Sequence, residues 1–396
     1  MLAVRARPVH GSRVNPVESP AATSPDRIPG SAPAARVIPA LTAADAAERW
    51  DAVVIGGGAA GLNAALMLVR SRRRVLVVDA GAPRNRFADG VHGVLGREDV
   101  PPLDLVAQGR AEVESYGGVV RSGWVTAVGG AEGDFLVEVG NFGTASAGAD
   151  AEAAIAGAAA SMSPVRLTAR HVVVATGVAD ALPDIPGLAA QWGRGVVHCP
   201  YCHGWEVRDQ RIAVLAEVPA AAVHQAQLFR QLSADVVVLQ HSSAPFDEAD
   251  ARGLAARGIR VVAGEVVELV SEGDAGARGA GDDTSAAPGR LTGARLADGT
   301  LVPIDALVVA SVPVAHVEFL APLGLHAETH PMGRGEQLPA TPFGVTAIPG
   351  VWVAGNATDI MAQVGAAAAA GAMVGAQVNA ALVVAEVRAA VAVADS

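Results

Sequence analysis

Two cysteines separated by two residues are the groups best suited to chemistry in this 396-residue chain. Cys199 and Cys202 stand in the segment HCPYCHGWE, and the chain has no other cysteine. Two thiols at this spacing can form a reversible disulfide that closes a short ring. Such close cysteines cannot staple distant segments together, and a structural zinc site normally needs a second pair of ligands. The spacing therefore predicts a redox-active pair, and we expect no metal site.

A histidine directly follows the second cysteine. The unperturbed pKa of an imidazole lies near neutrality, so His203 can take a proton from a neighbouring thiol or return one. A nearby imidazole or a helix N-terminus also lowers the pKa of a thiol and thereby supplies the reactive thiolate. A histidine that only packs or faces solvent is the alternative for His203, and this alternative is stronger for His198. We take His203 as the candidate acid–base residue.

A glycine-rich turn provides the second chemical signal. Gly56, Gly58 and Gly61 form a GxGxxG pattern directly after an apolar strand segment and at the start of a helix of small residues. Such glycines permit a tight turn and bring backbone N–H groups and a helix N-terminus against a pyrophosphate. Asp79 ends the next predicted strand, eighteen residues after Gly61, where its carboxylate can bind a ribose diol. The pattern predicts a dinucleotide, either FAD or NAD; a glycine turn without a nucleotide is the alternative.

The elements that must position these groups alternate between strands and helices in two βαβ units. Regular structure is predicted to start at Asp51, and the second unit has a strand RIAVLAEV followed by a helix from Pro219 to about Leu232. The Gly/Ala/Ser-rich stretch from about Thr144 to Ser163 is predicted to be a surface insertion. The polar stretch from Ser271 to Gly289 is predicted to be a disordered hairpin tip. These patterns indicate an α/β protein with two Rossmann-like domains.

Composition narrows the class of partner. The net charge of −11 argues against nucleic acid and anionic membranes, since both require a basic patch. Residues 1–50 are rich in Pro, Ala, Ser and Arg and lack the apolar core of a secretory signal, so we predict a disordered tail on a cytoplasmic protein. A transit peptide is the alternative, and its prolines oppose an amphipathic helix. The segment from Val364 to Val393 is long enough for a membrane span, but polar residues interrupt it and favour a close-packed core helix.

Six features, taken in chain order, resemble the thioredoxin reductase family of FAD flavoproteins. They are GGGAAG, the acidic strand end at Asp79, GAPRNR, VATG, CPYC and AGNATDIMAQV, and the resemblance covers about Asp51 to Leu382. The resemblance implies FAD as the cofactor. Asn356 departs from the family's usual aspartate and retains hydrogen-bonding capacity without charge. The implied cofactor-binding residues are Gly56, Gly58, Ala59, Ala60, Gly61, Asp79, Arg84, Asn85, Thr176, Gly177, Gly355, Asn356, Asp359, Gln363 and Val364.

The resemblance also implies a domain organisation and a role for each cysteine. An FAD domain would be split by an inserted NAD(P)-type domain that carries the CxxC pair. Cys202 would face the flavin as the charge-transfer thiolate, whereas Cys199 would exchange with the substrate; a homodimer is implied as well. The predicted divisions are a tail over residues 1–50, the FAD-binding domain over residues 51–187 and 317–396, and the NAD(P)-like domain over residues 188–316.

The second unit lacks the features that bind a pyridine nucleotide. No glycine occurs between Gly204 and Gly253, so the turn after RIAVLAEV has no backbone freedom to approach a pyrophosphate. Glu217 would repel phosphates there, and Pro219 removes an amide donor. The stretch HSSAPFDEAD contains no arginine to pair with a 2′-phosphate. We predict a vestigial nucleotide site in an inserted domain whose remaining task is to present the cysteines.

A vestigial site predicts that electrons reach the flavin from a dithiol. The CxxCH pattern and the degraded nucleotide site are similar to those of dithiol oxidases that close disulfides in dithiolopyrrolone or epidithiodiketopiperazine natural products. We therefore expect an FAD-dependent dithiol oxidase whose substrate is a small dithiol or a thioredoxin-like protein, with O2 as the acceptor. One alternative is a thioredoxin-disulfide reductase that uses NAD(P)H or another reduced carrier. The other is a non-catalytic flavoprotein that senses redox state through the CPYC pair.

Overall fold

The computed structural model describes residues 37–140, 164–273 and 289–396. The strands are β1 Arg49–Ile55, β2 Val75–Asp79, β3 Val119–Ser122, β4 Trp124–Ala131, β5 Asp134–Gly140, β6 Val165–Val174, β7 Val178–Ala181, β8 Val196–Val197, β9 Ile212–Leu215, β10 Val236–Leu239, β11 Arg260–Val262, β12 Val266–Ser271, β13 Leu291–Leu296, β14 Leu301–Pro303, β15 Ala306–Val308, β16 Val312–Ala315, β17 Glu328–Thr329, β18 Glu336–Gln337 and β19 Val351–Val353. The α-helices are α1 Ala43–Ala47, α2 Ala59–Arg70, α3 Pro102–Ser115, α4 Pro200–His203, α5 Pro219–Phe229, α6 Glu248–Ala256 and α7 Val364–Ala394.

Two sheets rich in buried Val, Ile and Leu form the centre of the fold. The first has seven strands in the order β3-β2-β1-β6-β5-β4, with β19 parallel to β6. The second has five parallel strands in the order β11-β10-β9-β15-β8. Strand β19 joins the first sheet after β15 has completed the second, so the second sheet is inserted into the first along the chain. The predicted fold class of two Rossmann-like units is confirmed, and the exact domain boundaries stay predictions.

A two-stranded ribbon carries the chain between the sheets. Strand β7 follows β6 out of the first sheet, and β16 follows β15 back toward it. The two strands pair antiparallel, with Ala179 opposite Val314 and Ala181 opposite Val312. Both connections therefore run side by side, so a group on one strand of the ribbon can be tied to a group on the other.

Close packing between α2 and α7 depends on glycine. A Cβ on Gly371 would lie 1.9 Å from the carbonyl oxygen of Ala60, and one on Gly375 would lie 2.6 Å from that of Ala64. The buried residues of α7 fall between Ala367 and Leu382. Residues 383–394 are exposed, since no described element covers them. The core-helix prediction is thus correct up to Leu382 and wrong beyond it.

The same helix has the length and apolarity of a membrane span. It is the one helix in the described part of the chain that is long and apolar enough to cross a membrane. Of its most apolar 18-residue window, 33% is buried within the protein. Arg73, in the turn between α2 and β2, donates hydrogen bonds to Asn379, at 2.8 Å, and to Glu386. The apolar helix α7 is therefore also bound to the first sheet's domain through polar groups. Length and composition alone do not separate such a helix from a core helix.

The predicted N-terminal tail extends too far. Helix α1 begins at Ala43 because Thr42 and Asp45 form a reciprocal capping box. Asp45 also accepts a hydrogen bond from Arg121 Nε at 2.8 Å, and its carbonyl accepts one from Trp50 Nε1 at 3.1 Å. These contacts order the chain before Asp51. Residues 1–36, the predicted insertion within residues 141–163 and most of the predicted hairpin tip, residues 274–288, lie outside the described residues.

We expect the substitution Gly371→Val to separate α2 from α7. The added side chain collides with backbone rather than with a movable side chain, so unfolding should become easier by about 1–3 kcal/mol in equilibrium urea denaturation. Ala376→Val, on the exposed face of the same helix, is the matched control and should change stability little. Equal losses in the two variants would contradict this account of the packing.

Candidate active site

A cavity of about 1210 Å³ lies at the carboxyl ends of strands from both sheets. Ligands bind at this edge in open α/β sheets because the strand-to-helix loops meet there. Cys199, Cys202 and His203 line the cavity, and so do all the predicted cofactor-binding residues except Gly61 and Asp359. The fold thus brings the cysteine pair to the same space as the glycine turn, although about 140 residues of chain separate them.

Gly61 and Asp359 lie off the cavity wall. A Cβ on Gly61 would stand 1.9 Å from the carbonyl oxygen of Gly56, so Gly61 lets helix α2 pack against its own turn. The Asp359 carboxylate accepts a hydrogen bond from the Met361 N–H at 3.1 Å. Both residues support the shape of the site from outside. Their direct contact with a cofactor stays a prediction.

Glycines shape the turn between β1 and α2. Gly56 has a φ of +105°, and a Cβ on it would lie 2.3 Å from the carbonyl oxygen of Ala175. Gly58 is the N-cap of α2 and faces open space, which leaves backbone amides of the helix start accessible. Gly57 is not one of the glycines of the GxGxxG pattern. A Cβ at this position would lie 2.4 Å from Asp79 Oδ2, so a larger residue would collide with the carboxylate. Gly57 therefore leaves room for the acidic side chain at the turn.

Asp79 ends β2 as predicted and is held in place by two contacts. Its Oδ1 accepts the Gly81 N–H at 3.1 Å, and its Oδ2 accepts Arg110 Nη1 at 3.3 Å. Arg110 comes from α3, and no sequence motif marks it. Asp79 is 7% exposed and lines the cavity. Its carboxylate is therefore held in a position where it can bind a ribose hydroxyl.

Arg84 is committed to an ion pair at the ribbon. Its Nε and Nη2 bind the two carboxylate oxygens of Asp180 at 2.7 and 2.6 Å, and the Ser311 hydroxyl donates to the same carboxylate at 2.7 Å. Burial would raise the pKa of Asp180, but the bonds and charge of Arg84 lower it below the ordinary value. Arg84 lines the cavity as predicted, but its guanidinium is already bound to the Asp180 carboxylate. Direct binding of the cofactor by Arg84 stays a prediction.

The loop that follows β19 is held by an amide. Asn356 Nδ2 donates to the carbonyl oxygens of Asp359 and Ala362, at 2.9 Å each. An aspartate at this position, the residue usual in the family that the sequence resembles, has no N–H to make these bonds. The departure at Asn356 therefore has a local structural role, which fixes the loop beside Gln363 and Val364.

The residues on this wall fit FAD. Thr176 Oγ1 is buried and has no hydrogen-bond partner within the described ranges, so it offers a polar group to a ligand. Gly177 has a φ of +70° with open space beside it, and Gly58 presents a helix start suited to a pyrophosphate. A long cavity with a helix N-terminus, a ribose-type carboxylate and free polar atoms matches the parts of a dinucleotide.

The cysteine pair is placed by the short helix α4. Cys199 is the N-cap residue and Pro200 the first helical residue, so the backbone amides that begin the helix point toward the Cys199 sulfur. The two Sγ atoms lie 2.8 Å apart, with Cys202 donating to Cys199. This bond and the amides of Tyr201 and Cys202 outweigh burial and lower the pKa of Cys199 to about 7.

The second thiol has the opposite tendency. Its hydrogen bond to Cys199 and its burial both raise the pKa of Cys202. In the dithiol form the thiolate therefore belongs to Cys199, which suits the sulfur expected to exchange with a substrate. The charge-transfer role of Cys202 toward the flavin concerns a later state of the pair and stays a prediction.

The two histidines beside the pair differ in environment. Both ring nitrogens of His203 are buried without a hydrogen-bond partner within the described residues. Burial lowers the pKa of His203, although Glu206 and Asp89 act against this, so its ring is neutral and able to accept a proton. His198 stacks on Trp192 at a centroid distance of 5.8 Å, and its pKa falls to about 4, mainly through burial. His198 is accordingly a packing residue.

The turn after β9 is filled by an ion pair. Glu217 accepts a hydrogen bond from Arg334 Nη2 at 3.0 Å, and the same nitrogen also donates to the Ala310 carbonyl. Pro219 begins α5, so the first helical residue has no N–H. Arg334 lies between β17 and β18, far along the chain, and no motif predicted it.

A cysteine pair beside a dinucleotide cavity in a two-sheet α/β fold defines a flavoprotein that transfers electrons to or from sulfur. The chain belongs to the pyridine nucleotide-disulphide oxidoreductase family, whose model matches residues 50–371. FAD is accordingly its cofactor, and its activity is that of an oxidoreductase acting on sulfur groups. The predicted enzyme class and cofactor are confirmed.

Individual proteins of similar sequence and structure agree with this assignment. The chain is 31% identical over 313 residues to "Thioredoxin reductase tcpT" of Claviceps purpurea (strain 20.1), a match that covers 77% of this chain and 86% of the relative. The crystal structure of HlmI has a TM-score of 0.72 and 38% identity, and it covers 87% of this chain and 96% of HlmI. The crystal structure of an oxidoreductase from Agrobacterium tumefaciens has a TM-score of 0.70 and 30% identity, and the match covers 85% of this chain and 99% of that protein. The resemblance to thioredoxin reductases is confirmed.

We expect Gly56→Ala to remove most of the bound FAD. The added methyl group collides with the Ala175 carbonyl and strains the positive φ, so the ratio of flavin to protein after purification should fall to a small fraction of the wild-type ratio. Gly117→Ala is the control, since Gly117 also has a positive φ, +85°, but open space around it. Full flavin content in Gly56→Ala would refute the assignment of this turn.

The reduced protein should be alkylated at Cys199 with a midpoint near pH 7, the value to which its pKa is lowered. Below that pH the thiol holds its proton and reacts slowly with iodoacetamide, whereas above it the thiolate dominates. Cys202→Ala removes the donating thiol and should move the midpoint to higher pH. A wild-type midpoint near the ordinary thiol value of about 8.5 would contradict the proposed hydrogen bond.

Proposed function

We propose that the protein is an FAD-dependent dithiol oxidase, in which a substrate dithiol reduces the Cys199–Cys202 disulfide and O2 is the final electron acceptor. The observation that carries this proposal is the turn after β9. A pyridine nucleotide needs amide donors and positive charge at such a turn. Glu217 supplies negative charge there, Pro219 lacks an N–H, and Arg334 is already bound to Glu217. These features favour a reductant other than NAD(P)H.

The chain's own groups account for the sulfur chemistry. A substrate thiolate attacks the sulfur of Cys199 in the disulfide, forming a mixed disulfide and releasing Cys202 as a thiolate. The second substrate thiol loses its proton to His203 and attacks the substrate's own sulfur in the mixed disulfide. The substrate leaves as a disulfide, and Cys199 leaves as the thiolate that its helix N-terminus stabilises. When bound, FAD supplies a two-electron acceptor that O2 can reoxidise, with hydrogen peroxide as the product.

The substrate we favour is a small dithiol, with a cysteine pair of a thioredoxin-like protein as the other candidate. Tyr201 and Trp205 support an apolar substrate, since both flank the cysteines and their exposed fractions are 69% and 66%. A thioredoxin-disulfide reductase is the second candidate function, which the similarity to Thioredoxin reductase tcpT favours. We also propose a homodimer, by analogy with the family rather than from a surface of this chain, and a cytoplasmic location, from the composition of residues 1–50.

Anaerobic spectrophotometry of the purified flavoprotein tests the proposal. Dithiothreitol should bleach the flavin or produce a long-wavelength charge-transfer band, NADPH and NADH should leave the spectrum unchanged, and admitted air should restore it with release of peroxide. Cys199→Ser should abolish the response to dithiothreitol and keep bound flavin, because Ser cannot form the mixed disulfide. Rapid bleaching of the wild-type flavin by NADPH would refute the oxidase and favour the reductase.

A further inference from the structure

A second, smaller cavity adjoins His203. It has a volume of about 240 Å³ and is lined by charged and titratable side chains from the loop after β2, from the turn before β8 and from the CPYC segment. These side chains are Asp89, His92, Asp99, Arg194, His203 and Glu206. His203 also lines the large cavity beside the cysteines. His92 lines both cavities as well, so the two histidines lie where the sulfur site meets a space that is large enough for water.

His92 links two carboxylates within this cluster. Its Nδ1 lies 2.7 Å from Glu98 Oε1, and its Nε2 lies 3.4 Å from Glu206 Oε1. Burial would lower the pKa of His92, but the bond to Glu98 and the charges of Glu206, Glu98 and Asp99 raise it. The His92 side chain is 16% exposed, whereas that of Glu98 is 61% exposed. The Glu206 side chain is 40% exposed, so acids at the surface lie on both sides of the His92 imidazole.

His203 needs a route for its proton. Each conversion of a dithiol into a disulfide releases two protons together with the electron pair. Burial disfavours the charged imidazole of His203, so a proton that it takes from a thiol has to pass on within the same exchange step. The ring nitrogens of His203 have no hydrogen-bond partner within the described part of the chain. Glu206, three residues further on, is the nearest acid in sequence, and it faces the same small cavity.

We propose that Glu206 and His92 form a proton relay that connects His203 with Glu98 and the solvent. This inference rests on the proposed thiol–disulfide chemistry of the cysteine pair. A proton taken by His203 from a thiol passes through water in the small cavity to Glu206, then to His92 Nε2, while His92 Nδ1 releases its proton to Glu98. No electrons move along this route. Glu206 and His92 act through His203 and do not contact the reacting sulfurs.

The two residues of the proposed relay come from different units of the fold. His92 lies on the loop between β2 and α3, whereas Glu206 follows α4 in the inserted unit. Proton release through this route therefore depends on the cysteine-bearing segment staying docked against the first sheet. Asp89, Asp99 and Arg194 face the same space and set its potential without bridging His92 to Glu206.

The experiment follows disulfide exchange in the holoenzyme under argon, with EDTA present, after rapid mixing with dithiothreitol. Reduced cysteines are trapped by alkylation and counted by mass spectrometry, so the readout does not depend on flavin turnover. Glu206→Gln and His92→Ala should slow exchange by at least about tenfold and change its pH profile. Added imidazole should restore the rate of His92→Ala and leave the wild type unaffected. Asp209→Asn, an exposed acid three residues after Glu206, is the matched control and should exchange at the wild-type rate.

Two results would overturn the relay. One is an unchanged rate and pH profile in both variants; the other is a loss that imidazole does not restore and that Asp209→Asn shares, which indicates only a structural or general charge effect. The oxidase proposal is judged separately, by whether wild-type flavin bleached with dithiothreitol recovers in air. Wild-type exchange without such recovery refutes the oxidase and leaves the relay to be decided by the variants.

Discussion

The buried ion pair between Arg84 and Asp180 is the interaction on which the geometry of this protein depends. Asp180 lies on the strand that leaves the first sheet, and Ser311, just before the returning strand, binds the same carboxylate. The guanidinium comes from the loop beside the cofactor cavity. One carboxylate therefore ties both crossings of the chain to the cofactor side, and the cysteines are delivered at a defined place.

The electrostatics of the site separate two tasks within a small volume. Amides at the start of α4 favour a thiolate on Cys199, while burial keeps His203 neutral and ready to accept a proton. A thiolate and a neutral base are both needed at the same pH for exchange between a dithiol and a disulfide. The charge of Glu206 raises the pKa of Cys202, so this acid adds to the preference for a thiolate on Cys199 rather than on Cys202.

Local patterns predicted the parts of the site that lie within one segment. The spacing of Cys199 and Cys202, the glycine turn and Asp79 needed only short stretches of sequence and the known behaviour of strand ends. Partners from distant segments were missed, since Arg84 and Asp180 are 96 positions apart and nothing in either segment marks the other. Helix α1 was missed because the tail-like composition of residues 1–50 outweighed its capping box.

On the proposed function, the ion pair of Glu217 with Arg334 would make a pyridine-nucleotide site difficult to restore in evolution. A single replacement of Glu217 by a glycine would open the turn but leave the Arg334 guanidinium, which is 29% exposed, without its carboxylate. Replacing Arg334 first would leave the acid facing any incoming phosphate. Pro219 would still lack an N–H in either case, so no single substitution restores the donors that a pyrophosphate needs. On the proposed function, descendants of this chain would change their dithiol more readily than their source of electrons.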